Sequence, residues 1–410
     1  MNKNIKLAVA GAVLALSATA ANAGIVIPAG DWTLDVGGNV NMFSSWSKQS
    51  GNNTISGGLV TGNGTAGTVN AFGNGLLPNF LSVSGSTRQN DLDVAFTISL
   101  QPSVANNTSG TKVGTAGNGG LNNRQSFITF GDKSWGSIKV GKDLGIFASD
   151  AILSDMTLLG VGSNAASGGI DSLGRIGAGY VYADWKPQIA YTTPNFSGFQ
   201  ATVGISQAWT QQALLAADLT STANHANVAY EGKASYSFAA SDVNGKIWVS
   251  GISQSSNVVG YGTGTNNDKT AYMGDIGVSL NVAGANLVAY GYSGTGVGTS
   301  QQFLGGYAKV GQNAVARDSY GGYLQATYVL PTKTKVGISW GESHLDQADG
   351  ETGASNLVKT NSMTTVGVYH PLTKHLNLVA EYSNVQSESF AANTPTNTSN
   401  VGSLGAILFF

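Results

Sequence analysis

Asn227-Val228-Ala229-Tyr230-Glu231-Gly232-Lys233-Ala234-Ser235-Tyr236-Ser237-Phe238 reads as a single strand. Val228, Tyr230, Ala234, Tyr236 and Phe238 fall on one face, and Glu231, Lys233, Ser235 and Ser237 on the other. Successive side chains of a strand point to opposite faces, so this period of two separates an apolar, aromatic-rich surface from a charged one. Residues 32–42 repeat the pattern, with Trp32, Leu34, Val36, Val40 and Met42 opposed to Thr33, Asp35, Asn39 and Asn41. So do residues 335–340, where Val336, Ile338 and Trp340 oppose Lys335, Gly337 and Ser339. Alternating segments of about ten residues, with aromatics near their ends, are what strands need when one face meets lipid and the other meets water. A soluble sandwich also alternates, but seldom over so many long strands with so little charge.

The composition narrows the classes further. The 410 residues include 57 Gly, 8 Pro and no Cys, and charged residues make up 10%, where about 25% is usual. The missing Cys excludes a disulfide scaffold, a thiolate metal site and a Cys nucleophile. Low Pro and the lack of a strict Gly-X-Y period exclude collagen. The 14 Phe, 15 Tyr and 7 Trp argue against wholesale disorder. A net charge of −2 with no basic run gives no footprint for nucleic acid.

At the N-terminus, Lys3 and Lys6 precede a short apolar stretch, residues 7–16, and Ala21-Asn22-Ala23 offers a small-residue cleavage site. Residues 1–23 are therefore expected to be a cleaved secretory signal peptide, leaving residues 24–410 as one unit. The competing reading is an uncleaved anchor, for which the stretch is short. Beyond it no run of 18 apolar residues occurs, so no transmembrane helix is expected.

The connections alternate between short and long. Short turns are expected near 89–91, 131–135, 194–198, 239–245, 283–285, 331–334 and 371–374. Between them lie Gly, Asn, Ser and Thr-rich stretches at about 48–79, 103–121, 143–185, 210–225, 254–271, 294–318, 342–360 and 386–399. Seven and eight make fifteen connections and hence sixteen strands. The expected fold is all-β: a sixteen-stranded antiparallel transmembrane β-barrel with an aqueous axis. Only a closed barrel lets strands satisfy every backbone polar group in lipid. On this phase Arg88, Arg124, Lys139, Lys186, Glu231, Lys233 and Lys335 point into the lumen. For each, the alternative is a solvated charge at a strand end.

Four stretches carry a more specific resemblance. Arg124-Gln125-Ser126-Phe127-Ile128-Thr129-Phe130-Gly131-Asp132 runs into Trp135-Gly136-Ser137-Ile138-Lys139-Val140-Gly141-Lys142. This pair resembles the strand, short turn and strand that precede loop 3 in Gram-negative trimeric porins. Tyr191-Thr192-Thr193-Pro194-Asn195-Phe196-Ser197-Gly198-Phe199 is similar to the hairpin just after that loop. Tyr369-His370-Pro371-Leu372-Thr373-Lys374-His375 resembles the family's late turn. The chain ends on Phe410, with Leu408, Ala406 and Leu404 at alternate positions, which resembles the signal read by the barrel-assembly machinery. The resemblance spans essentially the whole mature chain.

It implies a homotrimeric outer-membrane channel, set among outer-membrane lipid and lipopolysaccharide, that passes small hydrophilic solutes and ions without a cofactor. Loop 3, at about residues 143–184, is implied to fold inward and narrow the channel, with acids facing a basic wall. The implied acids are Asp143, Asp150, Asp155 and Asp171, and the implied bases Arg88, Arg124, Lys139, Lys142, Arg175 and Lys186. The alternative for each Asp is loop capping or solvent exposure. Two departures stand out. The Pro-Glu-Phe-Gly-Gly element common in loop 3 is missing, which leaves residues 160–169 to bend the chain. The last strand, residues 402–410, lacks the usual basic residue. Pore charge is sparse, and the basic wall tilts the expectation slightly toward anions.

Other chemistries have weaker support. Gly337-Ile338-Ser339-Trp340-Gly341 matches G-x-S-x-G, but it lies inside an alternating strand, whereas a nucleophile elbow needs a strand, a sharp turn and a helix. An esterase barrel with Ser339 as nucleophile is the competing enzyme. Gly62-Asn63-Gly64-Thr65-Ala66-Gly67 matches G-x-G-x-x-G outside any βαβ context. His344, Asp346, Asp349 and Glu351 could supply oxygen ligands to Ca²⁺ or form a solvated acidic loop. His370 and His375 flank a turn with no third ligand nearby. A surface adhesin or receptor is a third reading, since the long loops suit exposure but offer few aromatic anchors.

Overall fold

The computed structural model describes residues 24–60, 68–104, 121–163, 171–215, 218, 220–221, 227–259, 267–392 and 396–410. The expected leader and the Gly62 to Gly67 motif lie outside them. Sixteen long strands follow one another: β1 (Trp32–Ser50), β2 (Phe80–Gln89), β3 (Leu92–Pro102), β4 (Ser126–Asp132), β5 (Gly136–Leu144), β6 (Trp185–Thr192), β7 (Phe199–Gln207) and β8 (Val228–Ala240). The second half comprises β9 (Val243–Val259), β10 (Asn267–Val282), β11 (Ala285–Thr295), β12 (Asp318–Val329), β13 (Lys335–Leu345), β14 (Val358–Pro371), β15 (Leu376–Ser389) and β16 (Asn397–Phe409). Each pairs antiparallel with the next, and β16 returns to β1 with Asn39 opposite Phe409 and Ser50 opposite Thr398. Closure leaves no long open edge for another chain to join.

The seven tight turns fall where the sequence put them, and the long connections alternate with them as expected. The β2–β3 turn is a two-residue hairpin at Asn90 (φ 49°) and Asp91 (φ 61°), residue types that tolerate left-handed backbone. Several long loops are shorter than their composition suggested. The stretch read as 254–271 is mostly strand, because β9 runs on to Val259 and β10 starts at Asn267. Ser255, Ser256, Asn257 and Asn267 there continue the ladder, because cross-strand partners decide pairing more than local propensity does.

The alternation separates two surfaces. Val40, Met42, Val203, Ile205, Ile247, Val249, Ile338, Val366 and Leu404 are exposed on the outside, in phase along their strands. Exposed rings gather toward the two ends: Trp135, Tyr191, Phe196, Tyr236 and Tyr328 toward the short turns, and Trp46, Phe72, Tyr230, Tyr272 and Tyr320 toward the long loops. Such paired girdles bracket an apolar band. The intervening residues face the interior and include many polar ones, among them Ser99, Gln101, Gln188, Ser206, Gln254, Ser339 and Thr365.

β1 needs two pieces of chain on each side. One edge pairs with Asn397–Phe409 and then with a short strand, Ile25–Ala29. The other pairs with Phe80–Gln89 and with Thr68–Gly73, which are separated by residues 74–79. That segment leaves the ladder and turns inward. Asn41, buried on β1, replaces the lost ladder bonds: its Oδ1 accepts from Gly75 N at 3.0 Å and its Nδ2 donates to Leu77 O at 3.0 Å. A second asparagine, Asn79, accepts from Asn41 N at 2.6 Å. Buried backbone groups that leave a ladder need such partners. Asn41→Ala is expected to cost about 1–3 kcal/mol, the penalty for orphaned buried backbone groups. The urea midpoint, read by tryptophan fluorescence in detergent, should fall, and an unchanged midpoint would show that the inward segment does not depend on Asn41.

Candidate functional site

Of the connection between β5 and β6, the described residues 145–163 and 171–184 fold into the lumen instead of outward. They carry a six-residue helix α1 (Ser149–Ser154) and a 3-10 turn at Met156–Leu159. Ala151 and Ile152 of α1 pack with Phe147, Trp248, Tyr290 and Tyr323 in the largest apolar cluster. Val161, Leu158 and Leu159 pack against Phe43, Tyr369, Val379 and Phe409. The loop therefore covers the β9–β16 side of the wall, β1 included, and leaves the lumen open along β3–β9.

Polar groups of the wall hold this loop bond by bond. Phe147 N donates to Glu231 Oε2 at 2.9 Å and Ala148 N to Ser250 Oγ at 3.2 Å. Gln325 accepts from Met156 N at 2.6 Å and donates to Ser154 O at 2.9 Å, and Tyr323 OH donates to Ala151 O at 2.8 Å. Glu381 Oε2 accepts from both Val161 N (2.7 Å) and Gly162 N (2.8 Å), while its Oε1 accepts from Tyr369 OH at 2.5 Å. Gly179 N donates to Ser343 Oγ at 3.0 Å. Gly160 is needed where the chain passes Glu381, since a Cβ there would lie 2.1 Å from Oε1.

Of the implied acids and bases, the structure brings several together. Arg124 pairs with Asp171 and lies 5.9 Å from the centre of the Trp185 ring. Lys139 pairs with Asp143, which also accepts from Gln125 at 3.0 Å. Asp150 on α1 pairs with Lys233 at 3.0 Å and with Lys246. Burial alone would raise the Asp150 carboxyl, but these two ammonium groups outweigh it and hold it below its ordinary range.

The other candidates sit elsewhere. Arg88 shares the lumen phase but is at the turn end of β2, bonded to Asp93 (2.8 Å) and Asp132 (2.9 Å) rather than to the loop. Lys142 is in phase with Val140 on the outer face, and its Nζ donates to Asn123 O. Arg175 and Lys186 are buried in the seam between loop and wall. Arg175 donates to Met363 O at 2.9 Å and to Ser339 Oγ. Lys186 is enclosed by Glu231 Oε1 (2.8 Å) and Gln302 Oε1 (2.7 Å). Asp155 caps the 3-10 turn, accepting from Thr157 N (3.0 Å), Thr157 Oγ1 (2.6 Å) and Tyr180 OH (3.0 Å). Sequence reasoning missed Lys246 and Glu381. The strand phase held a signal for Lys246, because Ile247 and Val249 are the outward residues beside it. Nothing in the sequence marks Glu381 as the loop's anchor.

Inward folding leaves a cavity of about 1230 Å³ that runs from Leu59 and Leu304 at the long-loop end to Gly131 and Pro194 at the short-turn end. A second space of about 540 Å³, lined by Asp242, Lys335 and Gln325, lies on the turn side of the loop. Ser339 sits mid-strand in β13 with its Oγ bonded to Arg175, and the strand simply continues. Glu351 is bonded to Arg317, and among the described residues no cluster of three or more His, Asp or Glu is arranged to hold a metal ion.

A closed sixteen-stranded barrel has counterparts among known proteins. A family model described as Gram-negative porin matches residues 8–389. The chain belongs to that family. The porin is also similar in fold to the outer-membrane channel DcaP of Acinetobacter baumannii, at TM-score 0.69 and 17% identity, covering 95% of this chain and 100% of that one. OmpF of Salmonella typhi, solved with daunomycin, gives TM-score 0.59 and 14% identity over 94% and 100% of the two chains. OmpT of Vibrio cholerae gives 0.57 and 11% over 94% and 100%. No curated protein sequence matches. The porin is an integral β-barrel of the outer membrane that forms a channel for passive diffusion, and its family and fold point to a channel rather than an enzyme.

If Glu381 anchors the loop, Glu381→Ala leaves two buried N–H groups without a charged acceptor, each worth about 1.5–3 kcal/mol. Single-channel recordings of this variant should show larger, noisier currents than the wild type, and so should Gly160→Ala. Wild-type currents from both would contradict the assigned tether.

Proposed function

We propose that the inward loop, described at residues 145–163 and 171–184, forms the constriction of this porin and that it passes small hydrophilic solutes and ions with a mild preference for anions. The observation that carries the preference is the unequal exposure of paired charges. Lys233 and Lys246 are 23% and 36% exposed where Asp150 is 10%, and Lys139 is 24% exposed where Asp143 is 1%. The carboxylates stand behind the ammonium groups, so a passing ion meets the cations first. Field from a ring of like charges lining a narrow path sets selectivity. Arg124 and Asp171 are nearly equal, at 18% and 15%, and add little net sign.

We further propose a homotrimer with a leader cleaved after Ala23. The solved relatives include a V. cholerae OmpT structure described as a trimer form. We assign Phe410, at the end of β16 with Leu404 and Leu408 outward, to the barrel-assembly signal, and the outer face to outer-membrane lipid and lipopolysaccharide. We assign no cofactor and no catalysis. The bond from Arg175 to Ser339 Oγ supports a structural role for that serine. A receptor role would be secondary to the channel.

In a planar bilayer with a tenfold KCl gradient, the reversal potential should have the sign of an anion-preferring pore. Lys233→Gln with Lys246→Gln should move it toward the cation side, since one favourable charge contact inside a pore is worth about 1 kcal/mol, or about fivefold in relative permeability. A cation-preferring wild type would overturn the assignment of sign. Native mass measurement in detergent should return three chains per particle, and a monomer would remove the trimer.

A further inference from the structure

The lumen has two unlike sides. The basic side is the row just described, Lys139, Lys233 and Lys246, on β5, β8 and β9. The opposite side, supplied by residues 74–79 and the inward loop, is apolar where a water-filled path would be expected to be polar. Leu77, Leu153 and Leu158 line both the 1230 Å³ cavity and the 540 Å³ space beyond it, so they form the step between the two compartments. Leu153 and Leu158 are only half-buried and turn their uncovered surface to the lumen. The two surfaces meet on α1. Lys233 Nζ lies 3.0 Å from Ser149 Oγ and 3.0 Å from Asp150, one helical turn from Leu153.

We propose that this porin prefers amphipathic organic anions: solutes with one anionic head and an apolar ring or short chain. The proposal rests on the channel reading and names its substrate class. An anionic head on Lys233 and Lys246 places an attached apolar body against Leu153, Leu158 and Leu77. Water leaves that leucine surface only when an apolar body covers it, so the contact favours such solutes over hydrated ones of equal charge. A small inorganic anion engages the ammonium groups alone, a sugar engages neither side well, and an apolar cation meets repulsion at the basic row.

The test uses the purified full-length porin in planar bilayers under bi-ionic conditions, with permeability ratios taken from reversal potentials. Benzenesulfonate and methanesulfonate share one head and differ in body, and both stay charged at neutral pH. Sieving by size favours the smaller methanesulfonate. The expected result is that benzenesulfonate is favoured by about threefold, the order expected when part of a ring's apolar surface leaves water. Phenyltrimethylammonium should be less permeant than benzenesulfonate. In Leu153→Ser with Leu158→Ser the sulfonate ratio should fall below one. A wild-type ratio below one overturns the proposal while leaving the channel intact, and so does phenyltrimethylammonium passing as readily as benzenesulfonate. A bilayer that shows no openings in any salt overturns the channel reading itself.

Discussion

A loop can lie inside a water-filled barrel only if the wall supplies the hydrogen bonds that solvent would otherwise make. Residues 145–163 and 171–184 meet this requirement through side chains on five strands and a backbone carbonyl on a sixth: Glu231, Ser250, Gln325, Ser343 and Glu381 accept from the loop's backbone N–H groups, and Met363 O accepts from Arg175. Glu381 is the strongest of these, because one carboxylate oxygen takes two adjacent N–H groups and charged acceptors make the tighter bonds. The remaining geometry follows from that requirement. The residues that hold the loop cannot also be free pore charges, which is why Arg175, Lys186 and Asp155 are buried.

Apolar packing decides which side the loop takes. The Phe147, Ala151 and Ile152 surface fits a wall patch of Trp248, Tyr290 and Tyr323, and Val161 fits beside Tyr369 and Phe409. Burying these groups is favourable by roughly 25 cal/mol per Å², and this aromatic patch lies on that half of the barrel. The open path is pushed toward β3–β9, where the accessible charges are mainly basic. An uncompensated pair in the seam would be costly, and Lys186 with Glu231 shows the compensated form: a 2.8 Å contact further bonded to Gln302, Ser206 and Phe147 N.

The barrel was legible in the sequence because period-two alternation is a local property. Asn227 to Phe238 needs no partner to show which face meets lipid, and the turn chemistry at Asn90 and Asp91 is local too. The charge pairs along the lumen were legible only in part. Strand phase and the porin resemblance pointed to Arg124, Lys139, Asp143, Asp150 and Asp171, and the structure pairs each of them with a charge at the lumen. Phase does not report height along a strand, so Arg88, one residue from its turn, could not be told from a mid-wall base. Nor does it report what lies opposite. Glu381 contacts Val161 and Gly162 from some 220 residues away, and the inward Leu76-Leu77 segment lies in a stretch read from its composition as one long connection, residues 48–79.

The central claim is that the inward loop, residues 145–163 and 171–184, stands in the current path. The chain has no cysteine, so a single Leu153→Cys change offers one target for a membrane-impermeant, charged thiol reagent. If the loop lies in the lumen as described, adding the reagent during a recording should lower the single-channel current in discrete steps. Labelling confirmed by mass, with the current unchanged, would place the loop outside the path and contradict the account.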